Sequence, residues 1–509
     1  MSAKKLGLLI LILGTGATLE TARSLRGDIR LGPEGCRVIG GRFFGPSFTF
    51  DQATERQLGK AEAPRVEVRN AFGGIHVTAG ASGSVRVKLR KVVYLASEAK
   101  ARAFADRIEL HLTGDGSALR VGTNRDELGR GQGVGFETHL DLEVPAGTEI
   151  EVRNEHGRVE LSGVASADVR SSFDDVAIEH VTGSVKLETG HGAVRVSDVG
   201  DGLDLKARHG DVEVDGVKGA GKLEVEHGGL TIRRTGPLDV ALRYGDLTAE
   251  SVGGDLVVRA AHAGIHATDV AGHADVETSY GDVRFERVGA ARAKVEHGGV
   301  SAEDVAGAVE AETTHNDVDL DRVLGSVEVK VDHGGASLRG LAQGASVHGE
   351  GGDVVLEGFS GPVSVETERG NVRLVPRAQI AAAISASARH GDVDLEIPEG
   401  SRVEIDVLSR RGGVHADVPG LSTTANGEAG RGHRLTGELA GGGPVVRVRS
   451  DGDIRIGSGA ARPIADRPVS KPAPAAATAA APVAPPAAGA EPRARATAEK
   501  PPRVDEDKP

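Results

Sequence analysis

Between residues 150 and 459 apolar and polar positions alternate in short bursts separated by glycine. After Gly192 the apolar residues fall at Val194, Val196, Val199, Leu203 and Leu205. After Gly210 they fall at Val212, Val214, Val217, Leu223 and Val225. Each unit therefore holds two alternating stretches, V-x-V and L-x-V, joined by a Gly-containing corner. Alternation with period two puts such side chains on one face of a strand. One unit cannot bury that face alone, but units stacked in parallel build a continuous aliphatic column. The pattern predicts an all-β chain: a single-chain parallel β-solenoid.

The corners set the period. Their landmark dipeptides run His156-Gly157, Phe173-Asp174, His191-Gly192, His209-Gly210, His227-Gly228 and Tyr244-Gly245. They continue with His262-Ala263, Tyr280-Gly281, His297-Gly298, His315-Asn316 and His333-Gly334. Successive landmarks lie 17 or 18 residues apart; Gly352 and Gly370 keep that step, and Gly391 and Gly412 stretch it to 21. Rungs are thus of about 18 residues. Gly, Asn and Asp tolerate positive φ, which predicts a left-handed corner. Ala263 breaks the rule and should form a different or strained corner.

A stacked coil has open edges that invite pairing with other chains. The flank at 65–149 reads as a small β-rich cap: strands over 65–77, 84–93, 108–112, 118–121 and 139–144, with one helix over 97–107. Residues 23–64 read as irregular. At the N-terminus Lys4 and Lys5 precede the apolar run Leu6 to Leu13, with Thr15-x-Ala17 as a small-residue cleavage site, so 1–22 reads as an export signal. Eight residues rise about 12 Å as a helix, well short of the ~30 Å of hydrocarbon. A buried N-terminal segment is the competing reading. No longer apolar run follows, so no transmembrane helix is expected in the mature chain. Eleven of the 21 prolines lie beyond residue 460, among alanine runs. That composition predicts a disordered tail over 460–509.

Composition sharpens this. Gly accounts for 73 of 509 residues, Trp is absent and aromatics are 3%, which argues against helical bundles and doubly wound α/β folds. With 61 Lys plus Arg against 74 Asp plus Glu the net charge is −13, so nucleic acid is not the expected partner. A single cysteine, Cys36, excludes an intrachain disulfide and Cys-based metal sites. Its context, Leu31-Gly32-Pro33-Glu34-Gly35, does not resemble a lipidation site.

The candidate chemistry is a column of imidazoles: His156, His191, His209, His227, His262, His297, His315 and His333. In register these would stand about one strand spacing apart and could form a pH-sensitive zipper or bind a soft metal. Phe173, Tyr244 and Tyr280 occupy the same column and stack well but ligate metal poorly. A stacking ladder is therefore expected, with no cofactor and no metal. Asp211, Asp246, Asp282, Asp353 and Asp392 follow corner positions and read as exposed turn carboxylates. Carboxylates are spread evenly, which disfavours a glycosidase pair. No G-x-S-x-G elbow is present.

Three stretches carry a resemblance: RVEVRNAFGGIHV at 65–77, RIELHLTGDGSALRV at 107–121 and HLDLEVPAGTEIEVRNEHGRVELSGV at 139–164, followed by repeated G-[DGA]-[VL]-x-[VL] units. Together they resemble the bacterial putative-adhesin family of β-strand-repeat proteins, a domain of unknown function. The resemblance covers roughly residues 65–460 and implies a cell-envelope β-solenoid without established catalysis, in the periplasm or on the cell surface. Two readings stay open. One is an exported binding, adhesin-like or structural module with an unidentified envelope or surface component as partner. The other is a self-assembling filament or scaffold joined through the solenoid ends. A carbohydrate-active β-helix enzyme is a distant third.

Overall fold

The computed structural model describes residues 37–39, 42–57, 65–81, 83–114, 118–129, 133–427 and 432–459. The expected export signal at 1–22, Cys36 and the expected tail at 460–509 lie outside the described residues. The central rungs are built from two strands each. In one rung Val185–His191 forms the first arm, Gly192 turns the corner, and Val194–Val199 forms the second. The next rung lies directly above in parallel register, with Val185 opposite Leu203, His191 opposite His209 and Val194 opposite Val212. This is the predicted parallel β-solenoid with rungs of about 18 residues.

The alternation works as the pattern requires. Val194, Val196, Val212 and Val214 are at most 2% exposed, and burying each such side chain contributes roughly 1.5–3 kcal/mol. Val196 and Val199 are both buried although three residues apart. Asp198, with φ of 53°, adds the residue that resets the alternation. The same left-handed position recurs at His180, Arg234, Ser251, Asp269, Arg287, Asp304 and Arg322. An L-residue there costs roughly 1–2 kcal/mol, and side-chain pairs along the row offset part of it. Arg287 donates from Nε and Nη2 to both carboxylate oxygens of Asp269 at 2.7 and 3.0 Å, and Arg322 donates from Nε to Asp304 at 2.6 Å.

Corner glycines are required by close approach as well as by φ. Gly192 has φ of 115°, and a Cβ there would stand 2.3 Å from the Asp174 carbonyl oxygen of the rung below. Ala263 is not among the positive-φ residues. Its amide donates to the Tyr280 carbonyl at 2.9 Å like those of its glycine neighbours, so this is the different corner that was expected, set apart from Gly245 and Gly281 by its φ and not by strain. The narrow core accommodates Phe285, 1% exposed, because Ala267 and Ala302 flank it in the same column.

Both ends depart from simple stacking. Residues 65–80, expected to belong to the cap, form a true rung. Arg65–Phe72 lies between Glu149–His156 and Ala118–Thr123, and Ile75–Gly80 lies between Val159–Ser162 and Gly135–Pro145. At the other end Val445–Ser450 and Ile454–Gly459 insert between the rung at 384–398 and the strands Val403–Ser409 and Val414–Asp417. The step to Gly412 is therefore not a step to the next rung: Gly452 comes between.

Antiparallel strands extend the sheet beyond the terminal rungs. Phe48–Gln57, inside the segment expected to be irregular, pairs with Ser84–Tyr94, which pairs with Gly135–Pro145. The expected helix spans Glu98–Ala105. Lys91, 6% exposed, donates to the Ala105 and Ile108 carbonyls at 3.0 and 2.7 Å and so ties the helix end to its strand. A short helix not expected from the sequence follows at Arg125–Gly129. At the far end the hairpin of Leu421–Gly427 and His433–Leu439 extends the sheet from Val403–Ser409.

Candidate functional site

The register brings all eight predicted histidines into one column. Each sits at the end of a first arm, where the next backbone group turns the corner, so the ring projects outward beside the ring of the next rung. Centroid separations run from 4.5 Å at His297–His315 to 5.3 Å at His315–His333, with His191–His209 at 4.7 Å and His209–His227 at 4.9 Å. Phe173, Tyr244 and Tyr280 fill the intervening places at 4.5 to 5.2 Å from their neighbours. These separations are those of neighbouring strands, so the backbone ladder sets the stack. Corner amides reinforce it: Gly210 donates to the His227 carbonyl at 3.0 Å.

The column begins one member earlier than the histidine pattern indicated. Phe72 stacks on His156 at 4.5 Å. The signal was legible, since Arg69-Asn70-x-Phe72-Gly73 repeats as Arg153-Asn154-x-His156-Gly157. The 84-residue separation hid it, because the cap is inserted between these two rungs. At the other end Gly351 stands where the next ring would be, and Arg369 and His390 follow in register.

Two histidines are displaced from their ordinary acidity. Burial pushes the His191 pKa down first, with the neighbouring His209 and Arg208 adding to it. Burial also lowers that of His156; Glu155 and Asp174 oppose the shift and Arg125 assists it.

The acidic residues after the corners do more than face solvent. Asp211 Oδ1 accepts from the Gly229 amide at 2.9 Å, Asp246 from Gly264 at 3.0 Å and Asp282 from Gly299 at 2.8 Å. Asp175, Asp317 and Asp353 do the same for Ala193, Gly335 and Asn371. An acid in one rung thus meets a small residue or asparagine in the next, a period of two rungs. Asp211, Asp246, Asp282 and Asp353 are exposed turn carboxylates as expected, and in addition they tether rungs; the alternation of Asp with Gly was visible in the sequence. Asp392 continues the row, accepting from Asp453 at 2.8 Å.

Among the described residues no three His, Cys, Asp or Glu side chains gather as a metal site. No helix among them is long and apolar enough to cross a membrane. Near the start of the column, between the hairpin Leu110–Thr123 and the outer face of the first arm, runs an open groove of about 900 Å³ lined by Arg69, Arg125, Arg153, Phe173 and His191.

Residues 324–457 match the model of a family described as Toastrack DUF4097, a domain of unknown function. The resemblance seen in the sequence therefore has a family match over that stretch. A solved structure described as a putative cell adhesion protein from Clostridium sporogenes is 9% identical. The likeness covers 81% of this chain and 100% of that one, with a TM-score of 0.16. No curated protein matches.

Proposed function

We propose that this protein is an exported, non-catalytic β-solenoid that acts as a cell-envelope binding, adhesin-like or structural module. The observation that carries the reading is the contrast between ends that break the repeat and sides that keep it. Antiparallel strands extend the sheet beyond the terminal rungs, whereas the outer faces of both arms present charged rows rung after rung. Arg195 pairs with Glu213 at 2.8 Å, Lys206 with Glu224 at 2.8 Å and Lys294 with Glu312 at 3.0 Å, all substantially exposed. Such pairs contribute little to stability, and they leave the sides polar and accessible. The terminal rungs continue into antiparallel strands and not into another repeat, which disfavours parallel end-to-end stacking of coils into a filament, although Phe48–Gln57 and Leu421–Gly427 each pair on one side only among the described residues.

The Lys4-Lys5 charge ahead of Leu6–Leu13 supports export. Immobilised full-length protein should capture a defined component from solubilised envelope fractions and remain of constant size across a hundredfold range of concentration. Capture of nothing from the envelope, with size growing steadily with concentration, would replace this reading by the filament.

A further inference from the structure

The outer face of the first arm changes character at one end of the coil. In the row that includes Glu188, Lys206 and Glu224, sign alternates from rung to rung. Earlier in that same row Arg69, Arg153 and Arg170 stand side by side in three successive rungs. Like charges directly opposite one another are destabilising, so this run is a departure that the repeat does not require. It forms one wall of the 900 Å³ groove, where Arg120, Arg125 and Arg208 join it against Glu67, Asp126, Glu155 and Glu188. Glu67 is shared by Arg69 and Arg120, at 3.7 and 3.1 Å.

Arg125 is the least compensated of these cations. Its guanidinium lies between the rings of Phe72 and Phe136, 4.5 and 4.1 Å from their centroids. Its Nη1 is buried and has no hydrogen-bond partner among the described residues. Burial pushes its pKa down to about 10, against the pull of Glu137, Asp126 and Glu155. Unpaired buried polar groups of this kind are uncommon and costly. The groove offers hydrogen-bond donors to an oxyanion through Arg125, Arg69 and Arg153. Thr113, Thr123 and Ser172 line it with hydroxyls.

We propose that this groove binds an acidic saccharide, a carboxylate or phosphate carried on a polyhydroxylated ring. The anion sits against Arg125, Arg69 and Arg153, where guanidinium forks suit either oxyanion. The sugar hydroxyls meet Thr113, Thr123 and Ser172 along the groove. The inference rests on the binding reading above and names the ligand class and place for it.

The test is calorimetric titration of the full-length protein at low salt with an oligogalacturonate, a hexose phosphate, a neutral oligogalactose and single-stranded DNA. At least one acidic sugar should bind roughly tenfold or more tightly than the neutral one and the DNA, about 1.4 kcal/mol; which one identifies the anion. Arg125→Met should weaken that binding by a similar factor while the fold stays intact, because the methionine side chain still fills the space between Phe72 and Phe136. Arg69→Gln with Arg208→Gln, both at exposed positions, should weaken it with the fold intact. No binding of either acidic probe, equal binding of the neutral sugar, or equal binding of DNA would overturn the proposal. So would an Arg125→Met variant that melts early and keeps its affinity. If the groove fails while the full chain still captures envelope material, only the groove assignment falls; if both fail, the binding reading falls with it.

Discussion

The middle of the coil and its two ends solve the same problem by opposite means. In the middle each rung follows its predecessor in sequence, and Val194, Val212 and Leu230 stack because each unit repeats the last. Stability there is approximately a sum of rung and neighbour terms, and a rung depends only on those above and below it. At the ends the order of rungs in space is not their order in the chain. Residues 65–80 are held between a later strand pair and residues 149–162, and residues 445–459 between 384–398 and 403–417. A coil whose outermost rung was also its chain terminus could fray one hydrogen bond at a time. Placing the outermost-in-sequence rung one layer in means that it cannot leave without parting two ladders.

The largest test of that difference is truncation. Ending the chain at Gly443 removes the rung at 445–459, leaving Val403–Ser409 without its parallel partner and Val393–Pro398 with an open edge. Residues 403–439 should become accessible to protease within the time that residues 185–341 resist it. Ending the chain at Ala460 should change neither. If the two truncations are digested alike, the inserted rung does not hold that end.

A central rung is broken most directly from inside. Val212 is 2% exposed between Val194 and Leu230, so Val212→Asp buries an unpaired charge and should cost roughly 3–5 kcal/mol. Hydrogen exchange should rise at the mutated rung and its neighbours and spare residues 403–459. Exchange rising equally at both ends would show that the coil melts as one unit.

This comparison also separates what could be read from the sequence from what could not. Period, register and the inward face follow from Val and Leu spacings, because a one-residue slip would turn a whole strand inside out. The histidine column follows from the same register. The inserted rungs do not, because pairing between Phe72 and His156 joins residues far apart in the chain, and the repeat Arg-Asn-x-ring-Gly is too brief to announce it alone. The left-handed row was equally hidden. Asp, Arg, Ser and His all occupy it, so its regularity lies in backbone φ and not in side-chain type. Arg125 was invisible for a third reason: its setting between Phe72 and Phe136 comes from three separate elements.

A gentler perturbation tests the tethers. Asp211→Ala removes the acceptor for the Gly229 amide at an exposed corner. Water can replace part of that bond, so the loss should be about 0.5–1.5 kcal/mol, with Asp211→Asn recovering most of it. Asp201→Ala, at the opposite corner, should be closer to neutral. Equal effects of the two alanine variants would mean that the bond from Gly229 adds nothing beyond the backbone ladder.

The smallest expected effect belongs to the ring column, where the middle and the N-terminal end differ in how far they are buried. His191 has Phe173 on one side and His209 on the other, with Arg208 as the nearby cation. His156 has Phe72 and Phe173 beside it, Glu155 and Asp174 pulling its acidity up and Arg125 pushing it down. In both the folded-state pKa lies below the ordinary value near 6.5, first because burial disfavours the charged ring. The unfolded chain therefore binds more protons than the folded one as pH falls below about 6.5. Stability contributed by the neutral rings is present above that value and is lost progressively as pH falls through the folded-state pKa values. The melting temperature should accordingly be lower at about pH 5 than at about pH 7. His156→Gln with His191→Gln should flatten that slope and leave the carboxylate-driven loss at lower pH, where the Asp and Glu pairs protonate. Solvent screening at these corners keeps the change below that of Asp211→Ala. His297→Gln with His315→Gln serves as the comparison within the same column. An equal flattening by the second pair would move the origin of the effect from burial at the N-terminal end to repulsion along the whole ladder.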